Sequence, residues 1–159
     1  MLLRMKDDND SAEPAASSVE ALNLARFAAI TNDSQLETRA RKTVNAFARQ
    51  LSHFPSAMPQ MLVAFDFVER GATQLVIAGS GDEKSTQDLL KEIRSHFLPR
   101  TVVILLDDEA SRGFLAERNE EVRTMKPING KPAAYVCRNF TCQAPVTDRV
   151  ELGRLLSRT

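Results

Sequence analysis

The sequence has no surplus of charge: 21 Lys and Arg stand against 21 Asp and Glu, for a formal net charge of +0. A dedicated nucleic-acid binder carries a basic excess, so no nucleic-acid partner is expected. Long hydrophobic runs are also missing. A membrane-spanning helix needs about 18 consecutive apolar residues, whereas Leu75–Ala78 and Val102–Leu106 are strand-sized. Met1–Lys6 holds two leucines and two basic residues, and Asp7, Asp8 and Asp10 follow at once. That is too short an apolar region for a secretory signal. Together these absences predict a cytoplasmic protein with no membrane partner.

Metal- and thiol-bearing residues are scarce too. His53 and His96 are the only histidines, and Cys137 and Cys142 the only cysteines. Two thiolates do not complete a four-ligand zinc site, so no metal is expected. Cys137-Arg-Asn-Phe-Thr-Cys142 is not the C-x-x-C spacing of a redox centre. A disulfide across it is geometrically possible, but a cytoplasmic setting disfavours one. The expectation is a pair of structural thiols at a loop, with a reversible dithiol as the alternative. Internal repeats and low-complexity segments are absent.

What is present is a globular balance: 159 residues, 43% hydrophobic and 26% charged. A chain of about 150 residues buries roughly 68–70% of its unfolded surface, so neither disulfides nor metals are needed to hold it. The pattern changes near Gly71. Residues 1–70 read as helices. Ser17-Ser18-Val19-Glu20 and Ser34-Gln35-Leu36-Glu37 fit capping boxes. Val19, Leu22, Phe27 and Ile30 recur at helical spacing in the first helix. The second runs to Leu51 and stops at Pro55. Pro59 opens a third, which Gly71 ends. Residues 71–159 alternate strands with helices: Gln74–Ala78, Thr101–Leu106 and Ala133–Cys137 as strands, Ser85–Phe97 and Asp108–Glu117 between them. Asn129-Gly130 signals a tight turn, and Asp148-Arg-Val-Glu151 opens a last helix. Strands separated by helices imply parallel crossovers. Leu89, Leu90, Ile93 and Phe97 are expected inside, as are Met58, Met61 and the phenylalanines.

Several clusters could carry chemistry. Gly79-Ser-Gly81-Asp-Glu-Lys84-Ser85-Thr86 lies between a strand and a helix, where phosphate loops sit. However, Glu83 replaces the second glycine of a P-loop, and Lys84 breaks the dinucleotide pattern. A simple turn is expected there, and no cofactor. Asp7, Asp8, Asp10 and Glu13 could do acid–base work or bind a sugar, or form a solvated acidic segment before a helix. His53 and His96 read as helix-end histidines, and Lys91, Arg94 and Arg100 as a solvated basic face.

One resemblance runs from about residue 7 to the end. It is carried by Asp10-Ser-Ala-Glu13-Pro14, Ser17-Ser18-Val19 and Leu22-Asn23-Leu24, then by Pro55-Ser-Ala-Met-Pro-Gln-Met-Leu62 and Gln74-Leu-Val-Ile-Ala-Gly79. Phe97-Leu-Pro99 and Met125-Lys-Pro127 continue it. Ala134-Tyr-Val-Cys137-Arg-Asn-Phe-Thr-Cys142-Gln-Ala-Pro145 with Thr147-Asp148 is its most specific part. The sequence resembles the C-terminal end of the thioredoxin-domain family that includes the spermatogenesis-associated thioredoxin-like protein and its bacterial relatives. The resemblance implies an N-terminal thioredoxin-like domain, a toroid of helical hairpins like that of six-hairpin glycosidases and epimerases, and a closing α/β segment. This sequence matches the last toroid helices and that segment, and the redox motif matches no residue here.

The expected fold is therefore α/β: N-terminal helical hairpins (residues 1–70, a partial α/α toroid) packed with a small three-stranded parallel α/β unit (residues 71–159). The resemblance places Asp10, Glu13, Ser17 and Ser18 near the toroid mouth, as a candidate pocket. It matches Cys137 and Cys142 to the family's C-terminal pair. The leading expectation is a fragment or shortened member without a complete active site. Its helical face would seek a second copy or a missing domain. The alternatives are a dithiol redox protein using Cys137 and Cys142, and a carbohydrate-binding or hydrolase remnant.

Overall fold

The computed structural model describes residues 9–138 and 141–157. Asp7 and Asp8 of the acidic segment, and Asn139 and Phe140 between the cysteines, lie outside the described residues. The chain divides into two compact units, Met1–Gly71 and Ala72–Thr159.

The first unit is helical: α1 (Ala16–Thr31), α2 (Ser34–Ala46), α3 (Ala48–His53) and α4 (Pro59–Arg70), with a 3-10 turn at Pro55–Ala57 before α4. Its caps differ from the serines expected. Asp33 caps α2, its side chain accepting the N–H groups of Gln35 and Leu36. Ser34 is already inside that helix. The N-cap of α1 is Ala15, whose side chain cannot cap. Asp10 supplies the missing acceptor from outside the helix. The helix expected to reach Leu51 breaks at Phe47. Pro59 opens α4, and Gly71 ends it at a φ of 74°, a region that favours glycine.

The inner face of α1 is not the large-residue stripe. Ser18, Ala21, Leu22, Ala25 and Ala28 are buried, whereas Val19 and Phe27 are 38% and 58% exposed. Helix α1 packs against both α2 and α4, and interaxial distance follows the side chains at the contact. A face of alanines therefore lets both neighbours approach, while large side chains would hold them off. On α4 the buried set is Met61, Ala64, Phe67 and Val68. Arg41 ties α2 to the end of α4, donating to Glu69 at 2.6 Å and to the Val68 carbonyl at 3.1 Å.

The second unit holds β1 (Thr73–Ala78), α5 (Lys84–Arg94), β2 (Thr101–Leu106), α6 (Glu109–Ala116), β3 (Ala133–Arg138), β4 (Thr141–Cys142) and α7 (Arg149–Leu156). A three-stranded parallel unit was expected. The sheet is instead four-stranded and mixed, in the order β2-β1-β3-β4. Only β1 and β2 are parallel, and β3 runs antiparallel to both β1 and β4. Between β2 and β3 the chain runs through α6, none of whose residues is buried, and then a 3-10 helix at Glu120–Thr124 that buries Val122. The chain stays at the end where β2 finishes and enters β3 there, so that Ala133 pairs with Ala78. Asn129 and Gly130, both at positive φ, close the tight turn beneath the Ile128–Lys131 bridge.

Strand β1 is buried at every position, as the strand between β2 and β3. One face of the sheet, with Leu75, Ile77, Ala134 and Val136, packs under Leu89, Leu90 and Ile93 of α5 and Leu152 and Leu156 of α7. Phe97, expected inside, is 91% exposed. Helix α5 ends at Arg94, three residues short of it, so the helical period no longer aims it at the sheet. The phenylalanines depart from the core expectation more widely: Phe54, Phe65 and Phe114 are exposed, and Phe67 is buried. Met58 and Met61 are fully buried, as expected.

Candidate functional site

The candidate pocket residues gather around Asp10, which lies before α1 and beside the start of α4. Asp10 donates its own N–H to the Ala57 carbonyl at 2.8 Å. Its Oδ1 accepts the N–H of Ala15 at 2.8 Å. Its Oδ2 accepts the N–H of Gln60 at 2.8 Å and that of Met61 at 3.4 Å. The first amides of a helix have no partner within it, and one carboxylate here serves the starts of two helices. Partial burial pushes the Asp10 carboxyl upward. The Ala15 amide, the Ser18 hydroxyl and the Gln60 and Met61 amides outweigh that and hold it below its ordinary value. The fully buried Ser18 hydroxyl leans on this carboxylate without a hydrogen bond of normal geometry. Ser17 is half-buried, and Glu13 is exposed. Glu13 accepts the Ser11 N–H through its backbone carbonyl. So the structure brings Asp10 and Ser18 together, and occupies both oxygens of the carboxylate with backbone amides.

The two cysteines, expected as thiols at a loop, lie on paired strands and are bonded to each other. The antiparallel register sets Cys137 directly opposite Cys142, and directly opposed side chains share one face of a sheet. Cys137 is buried at 3% exposure between β1 and β4, with Gln74 opposite it on β1. Cys142 is exposed on the edge strand.

The Gly79–Thr86 turn is held internally. The Gly81 N–H donates to the Asp107 carboxylate, and the Gln87 side-chain amide donates to the Gly81 carbonyl. Asp107 faces the loop from the end of β2, where an incoming phosphate would meet a negative charge. Asp108 caps α6 through a reciprocal bond with Ser111, and the Ser111 amide and hydroxyl lower its carboxyl pKa.

His96 takes part in a grouping that spacing did not show. Its Nδ1 lies 2.9 Å from the Glu92 carbonyl oxygen. A carbonyl can only accept, so Nδ1 carries the hydrogen. The Glu92 carboxylate pairs with Arg149 Nε at 2.7 Å, and this contact raises the guanidinium pKa. These residues line a shallow groove of about 470 Å³ between α5 and α7, with Gly153, Arg154 and Ser157. Gly153 is its sequence signal. A Cβ there would come within 2.7 Å of Glu92 Oε1, so a glycine inside the leucine-bearing pattern of α7 marks where that helix approaches the carboxylate. His53 is exposed at the end of α3. Among the described residues, no cluster of three or more His, Cys, Asp or Glu could hold a metal, and no helix is long and apolar enough to cross a membrane.

The chain is thus a two-unit α/β polypeptide whose second unit carries a cross-strand disulfide. Its homologues include human spermatogenesis-associated protein 20, 35% identical over 154 residues, a match that covers 97% of this chain and 20% of that protein. The rat protein of the same name is 33% identical over 154 residues, with 97% of this chain and 19% of that protein covered. An uncharacterised protein of Caenorhabditis elegans is 32% identical over 160 residues, covering 98% of this chain and 21% of that protein. The chain therefore spans about a fifth of the length of the curated relatives it matches. No family pattern matches it, and no solved structure does.

Proposed function

We propose that this chain is a non-catalytic closing portion of a polypeptide built like spermatogenesis-associated protein 20, and that its helical unit docks on further polypeptide of that kind. In this reading α1 to α4 form the last part of a helical-hairpin toroid, and the thioredoxin-like redox motif belongs to other residues. The observation that carries it is the set of large apolar side chains facing outward on two neighbouring helices. Val19 and Phe27 do so on α1, eight residues apart and hence on one face, and Leu62, Val63 and Phe65 do so on α4. Exposed large apolar side chains on packed helices favour association. The engagement of Asp10 as a helix cap supports a structural role for the candidate pocket.

The test is to co-express the chain with the remaining part of human spermatogenesis-associated protein 20, without its matching segment. Co-elution of the two, weakened at least tenfold by Phe27→Asp or Phe65→Asp, is expected. Separate elution, with the chain alone dispersed as a monomer at high concentration, would overturn the reading. So would self-association to a dimer that leaves the added polypeptide unbound.

A second reading is thiol–disulfide exchange at Cys137 and Cys142, favoured by the bond between their sulfurs. Reduction of the folded chain by dithiothreitol tests it.

A further inference from the structure

The bonded cysteines differ in environment and share a fixed frame. Cys137 is rooted in β3, hydrogen-bonded to β1 on one side and to β4 on the other. Cys142 lies on the exposed edge. Thiol–disulfide exchange requires a thiolate to approach one sulfur in line with the bond, so access decides which sulfur is attacked. The segment that bears Cys142 is also held to β3 by contacts that owe nothing to the sulfurs. The Gln143 N–H donates to the Val136 carbonyl at 2.9 Å. Ala134 and Val146 exchange N–H···O bonds at 2.8 and 3.0 Å, and Val146 is buried.

We propose that Cys137–Cys142 is a reversible two-electron couple with a fixed polarity: Cys142 receives the incoming thiolate, and Cys137 leaves and later resolves. The proposal deepens the exchange reading above and rests on it. The partner is an exposed dithiol, on a small molecule or a protein. One thiolate of that dithiol attacks Cys142 Sγ. The Sγ–Sγ bond breaks, Cys137 Sγ takes the electron pair, and water protonates it. The donor's second thiolate then attacks its own sulfur in the mixed disulfide. Cys142 leaves as a thiolate and is protonated. The donor ends as a disulfide, two electrons poorer, and the chain holds two thiols. Because the Gln143 and Val146 contacts survive, the thiols stay opposed across the β3–β4 pair. Reoxidation by an incoming disulfide is then intramolecular in its second step, which gives it a high effective concentration.

The experiment titrates the folded chain in dithiothreitol redox buffers, counts thiols by maleimide mass labelling and follows fold by circular dichroism. Both thiols should appear together in one transition with the fold retained, and oxidised glutathione should restore the bond. Cys137→Ser should form a mixed disulfide with glutathione at least tenfold faster than Cys142→Ser does. If a variant fails to fold, brief exposure of the unmodified chain to limiting glutathione, followed by peptide mapping, replaces it. Glutathione should then sit on Cys142. A bond that resists reduction until urea unfolds the chain would overturn both this proposal and the exchange reading. Glutathione on Cys137, or equal rates in the two variants, would overturn the polarity and leave exchange standing. Loss of fold on reduction, or failure to reoxidise, would overturn the reversible couple.

Discussion

Asp10 and Gln60 stand 50 residues apart in sequence, and the Asp10 carboxylate accepts the Gln60 N–H at 2.8 Å. The same carboxylate accepts the Ala15 N–H, so one side chain fixes the entry of α1 against the entry of α4. Losing a capping acceptor costs about 1 kcal/mol, up to about 2 in protein hosts. Asp10→Ala removes two at once and should destabilise the helical unit by about 2 kcal/mol in urea unfolding. Hydrogen-exchange protection should be lost at Ala15 and Gln60. Glu13→Ala, at an exposed side chain, should stay within about 0.5 kcal/mol. Equal effects from the two substitutions would remove the capping role.

The lowered pKa of Asp10 sets a pH dependence. Its folded-state value lies below the ordinary aspartate value, so the unfolded chain binds the proton first as pH falls. The stabilisation is complete above the unfolded value of about 3.9 and disappears as pH drops through the lower folded value. Urea midpoints measured from pH 7 down to pH 2 should therefore fall less steeply for Asp10→Asn than for the unmodified chain. Parallel curves would contradict this.

Two glycines should respond to alanine in opposite directions. A Cβ at Gly79 would lie 2.6 Å from Pro132 Cβ and 2.8 Å from Thr86 Oγ1. The proline ring cannot swing away, so Gly79→Ala should cost about 1–3 kcal/mol by overpacking. Gly113 sits inside α6 with nothing within 4 Å of such a Cβ. Gly113→Ala should gain about 0.5–1 kcal/mol through helix propensity. Thermal unfolding of the pair decides the point, and a shift in the same direction for both would count against the packing described.

Gly130 carries a φ of +73° in the turn before β3. Alanine there meets open space but pays the left-handed penalty of about 1–2 kcal/mol. Gly130→Ala should lower the melting temperature, whereas Asn129→Gly, at a φ of 50°, should be tolerated. An unchanged melting temperature for Gly130→Ala would show that the turn adopts another conformation.

Much of the fold was legible in local pattern. Pro59, Gly71 and the Asn129-Gly130 turn sit where backbone stereochemistry requires them, and Asp148 caps α7 by accepting the Glu151 N–H. Each of these depends on residues within one turn of chain. The errors share a different origin. Ser17 fits a capping box by spacing, but Asp10 reaches the helix start through a fold of the chain. Val19 and Phe27 fit an inward stripe by size, but two helices approaching α1 selected its alanines. The groove at Glu92 leaves only Gly153 as a trace in the sequence, because its guanidinium comes from Arg149, 57 residues onward.

The sequence alone determined the strands Gln74–Ala78, Thr101–Leu106 and Ala133–Cys137, each within one residue of the strand observed, and the helices that precede them. Hydrophobic period and turn chemistry act over a few residues and need no partner to be read. Tertiary structure alone decided the direction of β3, the employment of Asp10 as a cap for two helices and the pairing of Cys137 with Cys142. The first two depend on where distant segments meet, and the third on the register of the neighbouring β3–β4 pair. The end at which the chain re-enters the sheet sets the direction of β3 along β1, and the register between β3 and β4 sets one sulfur opposite the other.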